Sequence, residues 1–352
     1  MTNIVSTWDK SQEEWLKLRE GGIGGSDAGT IVGVNRYNSA FQLWSEKTHT
    51  VERSFTGNEA TKWGHILEPI IAQAYAADTG KAIVEWPVLI WSGDEETSFM
   101  YANLDYVEVE PSEQFPAGVV TVWKGLTPPP GILDIVECKT TGVATMGNRK
   151  AWEKGKVPES YMVQGYHYVI VLQSIGINVD HVTFLCFAPG QDPTIIVRGM
   201  GKRPDDHILW DDDTANDIKI AEEQFWDLVT FKIEPEIDGS DATEELLAAR
   251  FPRHSEGKTF DGTAEFALLI EEFTIAKDAT KRATAHEKEL RSKIVAALGD
   301  AESATYDGEL LLTFRAGQDR KTFDAKRFET EMPEVYAQFV RETPGSRTLL
   351  IK

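Results

Sequence analysis

With 352 residues and 41% hydrophobic side chains, the chain can bury the cores of two ordinary domains. Its net charge of -21 excludes a surface that is basic throughout, so any nucleic-acid contact must be confined to a patch where Lys and Arg gather. Two cysteines, Cys138 and Cys186, stand in apolar β-like runs without C-x-x-C spacing, which excludes zinc and iron–sulfur centres and fits buried thiols in a reducing cytoplasm.

Glu13 to Arg19 reads as a helix broken by Gly21-Gly-Ile-Gly-Gly25, after which Ser26-Asp27 caps a short helix through Val32. Phe41 to Lys47 and Thr61 to Thr79 read as helices, the second with Ile66, Ile70, Ile71, Ala74 and Tyr75 inward. Strand-like stretches follow at Ala82–Trp91, Ser98–Val109, Ile132–Lys139, His181–Ala188 and Ile195–Arg198. Pro111–Gly131, rich in Pro and Gly, reads as an inserted loop or small hairpin. Helices are expected over Ser160–Gln173 and Asp217–Ile233, and a boundary near Pro235–Gly257. Beyond it, Phe266, Leu269, Phe273, Ala276, Thr280, Ala283, Glu287, Leu290, Ile294 and Ala297 step by three and four. That spacing predicts a long helix with a coiled-coil-like seam, or one packed on a neighbour, stopped at Gly299-Asp300. Asp307-Gly308 separates two strands of a hairpin, Asp324–Phe339 is helix-like and Arg347–Lys352 strand-like. No apolar stretch reaches membrane-spanning length and Met1 to Lys10 lacks a signal-peptide core, so no membrane association is expected.

Chemistry concentrates at Glu137-Cys138-Lys139. Strand alternation puts Glu137 and Lys139 on one face and Cys138 on the other. The flanking Ile132, Leu133, Ile135 and Val136 suit a strand buried on both faces, where desolvating an unpaired charge costs roughly several kcal/mol. Asp105, in Asn103-Leu-Asp105-Tyr, supplies a second acid, and Tyr161-Met-Val-Gln164 opens an apolar helix. Acid, then acid-x-Lys, then Gln is the order of a metal-dependent nuclease core. Hydrolysing a phosphodiester needs an activated water and a Lewis acid, which one or two Mg2+ or Mn2+ ions on carboxylates supply. Asp105 and Glu137 are the expected ligands, completed by the Cys138 backbone carbonyl. Lys139 would activate the water or offset charge, and Gln164 would position that water, unless it is simply a polar residue on an exposed helix face. Glu68, in Trp63-Gly-His-Ile-Leu-Glu68-Pro, is either an inward acid reaching the ion through water or an ordinary surface glutamate; His65 beside it reads as a packing residue. Arg19 to Asp27 lacks the strand of a dinucleotide fingerprint and the Gly-Lys-Ser/Thr of a P-loop. What remains is a helix N-terminus with a Ser hydroxyl and a nearby Arg able to hold a phosphate, or a plain cap after a glycine turn.

Taken together, Trp15-Leu-Lys-Leu-Arg19, Gly24-Gly-Ser26, Trp63-Gly-x-x-x-Glu68, Asp105, Glu137-x-Lys139 and Tyr161-Met-Val-Gln164 resemble the YqaJ-type viral recombinase family, which includes phage lambda exonuclease and belongs to the PD-(D/E)xK superfamily. The likeness covers roughly residues 10 to 235. It implies an α/β (α+β) restriction-endonuclease-like core, a mixed central β-sheet flanked by helices. It further implies magnesium-dependent digestion of double-stranded DNA from a 5′ end in the cytoplasm of a bacterial host. The product would be a 3′ overhang for a single-strand annealing recombinase. By position, the family's metal-binding acids fall on Asp105 and Glu137 and its catalytic lysine on Lys139. The supporting glutamate and glutamine fall on Glu68 and Gln164, and the 5′-phosphate contacts on Arg19 and Ser26. A homo-oligomer, with a ring as one form, also follows from the resemblance. The long stretch between Asp105 and Glu137 departs from compact members, and the region after residue 255 has no counterpart in lambda exonuclease. The domains expected are an exonuclease at 1–235, a linker at 236–257 and a helical and β-hairpin domain at 258–352 for oligomerisation or partner docking. Two readings stay open beside the exonuclease: an endonuclease or structure-specific nuclease with the same site, and a non-catalytic DNA-binding or assembly protein.

Overall fold

The computed structural model describes residues 3–50, 59–141, 152, 155–188, 195–319, 321–341, 345 and 347–351. The chain divides into two units, Met1–Arg250 and Phe251–Lys352, each treated by itself.

In the first unit the elements run β1 (Ile4–Ser6), α1 (Gln12–Glu20), β2 (Ile23–Gly24), α2 (Gly25–Ile31), α3 (Ala40–Lys47), α4 (Glu59–Thr79), β3 (Ala82–Glu85), β4 (Val88–Trp91), β5 (Met100–Ala102) and β6 (Tyr106–Val109). There follow β7 (Val120–Val122), β8 (Ile132–Thr140), α5 (Glu159–Ser174), β9 (His181–Phe187), β10 (Ile195–Gly201), β11 (Ile208–Leu209), α6 (Asp212–Phe231) and α7 (Asp241–Arg250). A large mixed sheet has the order β11-β10-β9-β8-β6-β3-β7, and a smaller one the order β1-β4-β5-β2. In the large sheet β8 runs parallel to β9 and antiparallel to β6. The fold is therefore a mixed α/β core with helices about a central sheet.

Two of the expected strands break in the middle, and each break moves the chain from one sheet to the other. Pro87 has no amide hydrogen to continue a ladder, and Ala82–Trp91 divides there into β3 and β4. Ser98–Val109 divides across Asn103–Asp105 into β5 and β6, and Asp105 stands at that corner. Both halves of each run are apolar because both sheets are covered, so neither run shows a seam in its sequence.

β8 lies between two apolar clusters. Ile135 packs with Val182, Phe184 and Val169 on one side, while Val136 and Cys138 pack with Ile71, Ala72 and Tyr75 of α4 on the other. The buried stripe of α4 is Ile71, Ala72, Tyr75 and Ala76, with Leu67 half-buried; Ile66 and Ile70, expected inward, are exposed. Gly24, rather than Ser26, caps α2, with the Asp27 carboxylate reaching back to accept from the Gly24 amide at 3.2 Å. Within Pro111–Gly131, β7 runs parallel to β3 at the sheet edge instead of forming a hairpin. The segment 236–257, expected as a linker, carries α7, whose Ala242 and Leu246 are buried and whose Thr243 hydroxyl donates to Ser39 Oγ at 2.8 Å.

The second unit is built on α8 (Ala264–Leu298), which starts at a Thr263 side-chain cap on the Phe266 amide (3.2 Å) and ends at Gly299 with φ 57°. β12 (Ser303–Tyr306) and β13 (Glu309–Thr313) form the expected hairpin, with Asp307 and Gly308 both at positive φ as a primed turn demands. The last helix divides at Pro333 into α9 (Ala325–Glu331) and α10 (Pro333–Phe339). Residues 347–351 form no strand, and Lys352 lies outside the described residues. Among the described residues no helix is long and apolar enough to cross a membrane.

Candidate active site

The ladder pairs Tyr106 with Val136, which brings Asp105, just before β6, opposite Glu137 at the end of β8. Asp105 Oδ2 accepts a hydrogen bond from the Cys138 amide at 2.8 Å, locking the corner to the strand. The Glu137 side chain is buried and shares one oxygen, Oε1, between two donors: Lys139 Nζ at 2.5 Å and Gln164 Nε2 at 2.7 Å. Its other oxygen, Oε2, is buried and accepts from neither donor, and the Glu137 carboxyl faces that of Asp105. Lys139 also lies over the Tyr161 ring, 4.8 Å from the centroid. Glu68 enters from α4, and a cavity of about 350 Å³ is lined by Glu68, Asp105, Cys138, Lys139, Thr140 and Tyr161, among others.

Acid crowding sets the electrostatics. Burial, then the charges of Asp105 and Glu137, push Glu68 up to about 8 from an ordinary 4.5. Burial and the facing Asp105 raise Glu137 to about 7, against the pull of Lys139 and Gln164. Asp105 is raised by burial too, while Lys139, despite burial, is held above its usual range by Glu137 and Asp105. One ammonium thus faces three carboxyls.

That donor set fits a hard divalent cation. Among the described residues no group of three His, Cys, Asp or Glu side chains closes on an ion alone. An ion held here would therefore draw on carboxylate, backbone and water oxygens together, and Glu137 Oε2, held by neither Lys139 nor Gln164, is a carboxylate oxygen open to it. His65 lines the same cavity; it is exposed rather than packed, its Nδ1 3.9 Å from Glu68.

Arg19 and Ser26 also meet. Arg19 Nη2 donates to Ser26 Oγ at 3.0 Å and its Nε to the Tyr101 hydroxyl at 2.9 Å, with the guanidinium 4.4 Å from the Trp15 ring centroid. Beneath them Asp27 is buried against Lys47 at 3.0 Å; despite burial, Lys47 and Arg19 hold its carboxyl below the usual range.

Residues that the motifs leave without a role connect the two clusters. Gln164 is buried, not on an exposed face, and its second amide hydrogen goes to the Tyr168 hydroxyl at 2.8 Å. Tyr168 donates in turn to the Asn103 carbonyl at 3.0 Å, and the Asn103 side chain accepts from Trp15 Nε1 at 2.9 Å. Burial and the nearby acids push the Tyr168 hydroxyl well above its ordinary range, so it stays a donor. A sequence signal does exist: Tyr161, Gln164 and Tyr168 step by three and four along α5, which puts them on one face. Behind Tyr101, His167 and Glu222 form a fully buried pair at 2.9 Å, and His167 Nε2 lies 2.9 Å from the Tyr101 carbonyl.

A family model for the YqaJ-like viral recombinase domain matches residues 14–174. A Bacillus subtilis (strain 168) protein described as uncharacterized protein YqaJ is 30% identical over 341 residues, which is 97% of this chain and 94% of that protein. The chain belongs to the YqaJ-like viral recombinase family. The matched YqaJ-like span contains Arg19, Ser26, Glu68, Asp105, Glu137, Lys139 and Gln164, and it closes at the last residue of α5. Two crystal structures of LHK-Exo, an alkaline exonuclease from Laribacter hongkongensis, are also similar. The one in complex with dAMP is 16% identical with a TM-score of 0.46, covering 68% of this chain and 97% of that one. The other is 16% identical with a TM-score of 0.44, covering 68% and 99%.

Proposed function

We propose that this YqaJ-family chain is a metal-dependent nuclease that digests double-stranded DNA from a 5′ end, leaving a 3′ single strand for an annealing recombinase. The observation that carries the reading is the meeting of Asp105, at the corner before β6, with Glu137 and Lys139 of β8, 32 and 34 positions further along the sequence: Asp105 and Lys139 line one cavity with Glu68 of α4, and Glu137 is bonded to Lys139. Asp105, Glu137 and the Cys138 carbonyl would hold Mg2+ or Mn2+, with Glu68 reaching it through water. When bound, such an ion supplies Lewis-acid stabilisation of the phosphate and a more acidic water.

The remaining work falls to the chain's own groups. Lys139, kept protonated by its acid neighbours, offsets charge that builds on the phosphate oxygens and has N–H groups beyond the one given to Glu137 with which to orient the attacking water. Gln164 fixes the rotamer of Glu137, since both its amide hydrogens are engaged. Arg19 and Ser26 present a guanidinium and a hydroxyl on one side, a pair suited to a terminal 5′-phosphate. The homo-oligomer and the annealing partner belong to the same proposal.

The deciding experiment incubates the protein with magnesium and linear or covalently closed duplex, with and without a 5′-phosphate. Digestion of linear DNA alone, faster with the phosphate, is expected; Glu137→Ala and Lys139→Ala should lower the rate by about 10³-fold or more, the scale of removing a group that stabilises the transition state. Nicking of closed circles would establish an endonuclease instead, and binding without cleavage a non-catalytic protein. Equal rates on phosphorylated and hydroxyl ends would remove the role given to Arg19.

A further inference from the structure

The nuclease reading leaves α8 unused. Its seam steps by three and four from Phe266 to Ala297 without a break, a mean period of about 3.5 residues, the repeat of helices that wrap around one another. Within its own unit this face is open: Leu269 is 57% and Ile294 48% exposed, Phe273 and Leu290 are likewise uncovered, and Phe266 meets only the Phe260 ring edge-on. An apolar stripe of that length marks an interaction surface.

Charge along the helix selects the occupant. Residues 264–280 carry four acids (Glu265, Glu271, Glu272, Asp278) and one base, Lys277. Residues 281–298 carry five bases (Lys281, Arg282, Lys288, Arg291, Lys293) and two acids. The two halves have equal and opposite net charge, so the helix is complementary to a reversed copy of itself. A parallel pair would lay acids on acids, bases on bases and Glu287 against Glu287 in the seam. An antiparallel pair lays the acidic half along the basic half and sets Glu287 across from Ala276, next to Lys277. Small side chains at the middle of the seam (Ala276, Thr280, Ala283) let two helices approach where they would cross the symmetry axis.

We infer that Ala264–Leu298 is a self-association element that pairs antiparallel with the same helix of a second copy of this chain. The pairing is independent of the nuclease site and of any ring the first unit forms.

Cysteine cross-linking of the full-length chain tests it, because the native Cys138 and Cys186 are buried. Leu269→Cys and Ile294→Cys, combined on one chain, are expected to give a covalent dimer on mild oxidation, while either substitution alone does not. The two positions lie about 37 Å apart along one helix, so they cannot close within a chain. Glu265→Lys and Glu272→Lys, which flank the seam, should together lower the cross-linked yield at least about tenfold. Adding Arg291→Glu and Lys293→Glu, which flank the seam in the basic half, to that same chain should restore it, which also shows that the helix still folds. A monomer from the double-cysteine chain overturns the proposal, as does a cross-link from Leu269→Cys alone, which reports a parallel pair. Attachment of either cysteine to the first unit of the same chain, read by peptide mapping, overturns it in favour of an internal occupant. Failure of the second charge set to restore yield would remove the charge complementarity on which the orientation rests.

Discussion

The Glu137 carboxyl, buried beside Asp105, ties the stability of the fold to pH. Its proton is held more tightly folded than unfolded, because burial and Asp105 raise it to about 7, and Glu68 to about 8, from 4.5. The stability gained from those protons is complete below about 4.5 and is lost as pH climbs through the native values. Without metal, the melting temperature should therefore fall between about pH 5 and 8, and Glu137→Gln should flatten that slope. Magnesium, which binds only the deprotonated carboxylates, should raise the melting temperature more at about pH 8 than at about pH 6. Thermal melts with and without magnesium measure both effects; a slope of opposite sign would show that the acids are already ionised at low pH. Tyr168 gives a second expectation at this scale. Tyr168→Phe removes the hydroxyl that joins Gln164 to the Asn103 carbonyl, leaving buried polar groups unpaired, at a cost of about 1–3 kcal/mol by urea denaturation. Single-turnover hydrolysis should slow as well, since Gln164 loses half of what holds it.

Among the elements, β8 was legible in the sequence and the corner before β6 was not. An apolar run ending in Glu-x-Lys states its own pattern, and both faces of β8 are buried as that pattern requires. The turn at Asn103–Asp105 carries no glycine or proline, so the run reads as one strand although it serves two sheets. The phase of α4 misled for a related reason: a 3.6-residue period allows neighbouring stripes, and the sheet selected Ile71 and Tyr75 over Ile66 and Ile70. Glu68, one turn before Ile71 and Ala72, then lands at the cavity. The link between the two polar clusters was legible only in part, because it runs through a backbone carbonyl, that of Asn103. Gly24 and Gly25 have a packing reason that their positions alone did not disclose: a Cβ at Gly25 would stand 2.5 Å from the Tyr168 ring, and one at Gly24 2.7 Å from Tyr101. Gly25→Ala should cost about 1–3 kcal/mol by urea denaturation and slow digestion by displacing Tyr168. Unchanged stability would show that the ring can move aside.

For the whole molecule, charge is divided unevenly. Residues 1–250 hold 39 acids and 20 bases, so the unit that carries the candidate site is the acidic one. Yet the stretch from Lys139 to Lys156 has Lys139, Arg149, Lys150, Lys154 and Lys156 against the single acid Glu153. A duplex repelled by most of the surface would be drawn to that sequence, and binding should weaken steeply with salt. Lys150→Glu with Lys154→Glu should raise KM with little change in kcat, and reduce the slope of log affinity on log salt by roughly 0.9 for each phosphate no longer neutralised. An unaltered slope would put the DNA elsewhere. Because the candidate site lies wholly within residues 14–174, replacing side chains on α8 should leave single-turnover hydrolysis unchanged, which the same assay checks.

The double hold on Glu137 Oε1 has a further consequence for cation choice. With that oxygen taken by Lys139 and Gln164, the carboxylate can offer an ion only its second oxygen. Calcium takes up to about eight oxygens and often grips a carboxylate by both at once; magnesium accepts about six, largely water, with one oxygen per carboxylate. A cation held there would meet one oxygen of Glu137, a demand that suits a small octahedral ion taking one oxygen per carboxylate, whereas a larger ion would have to complete its shell with water.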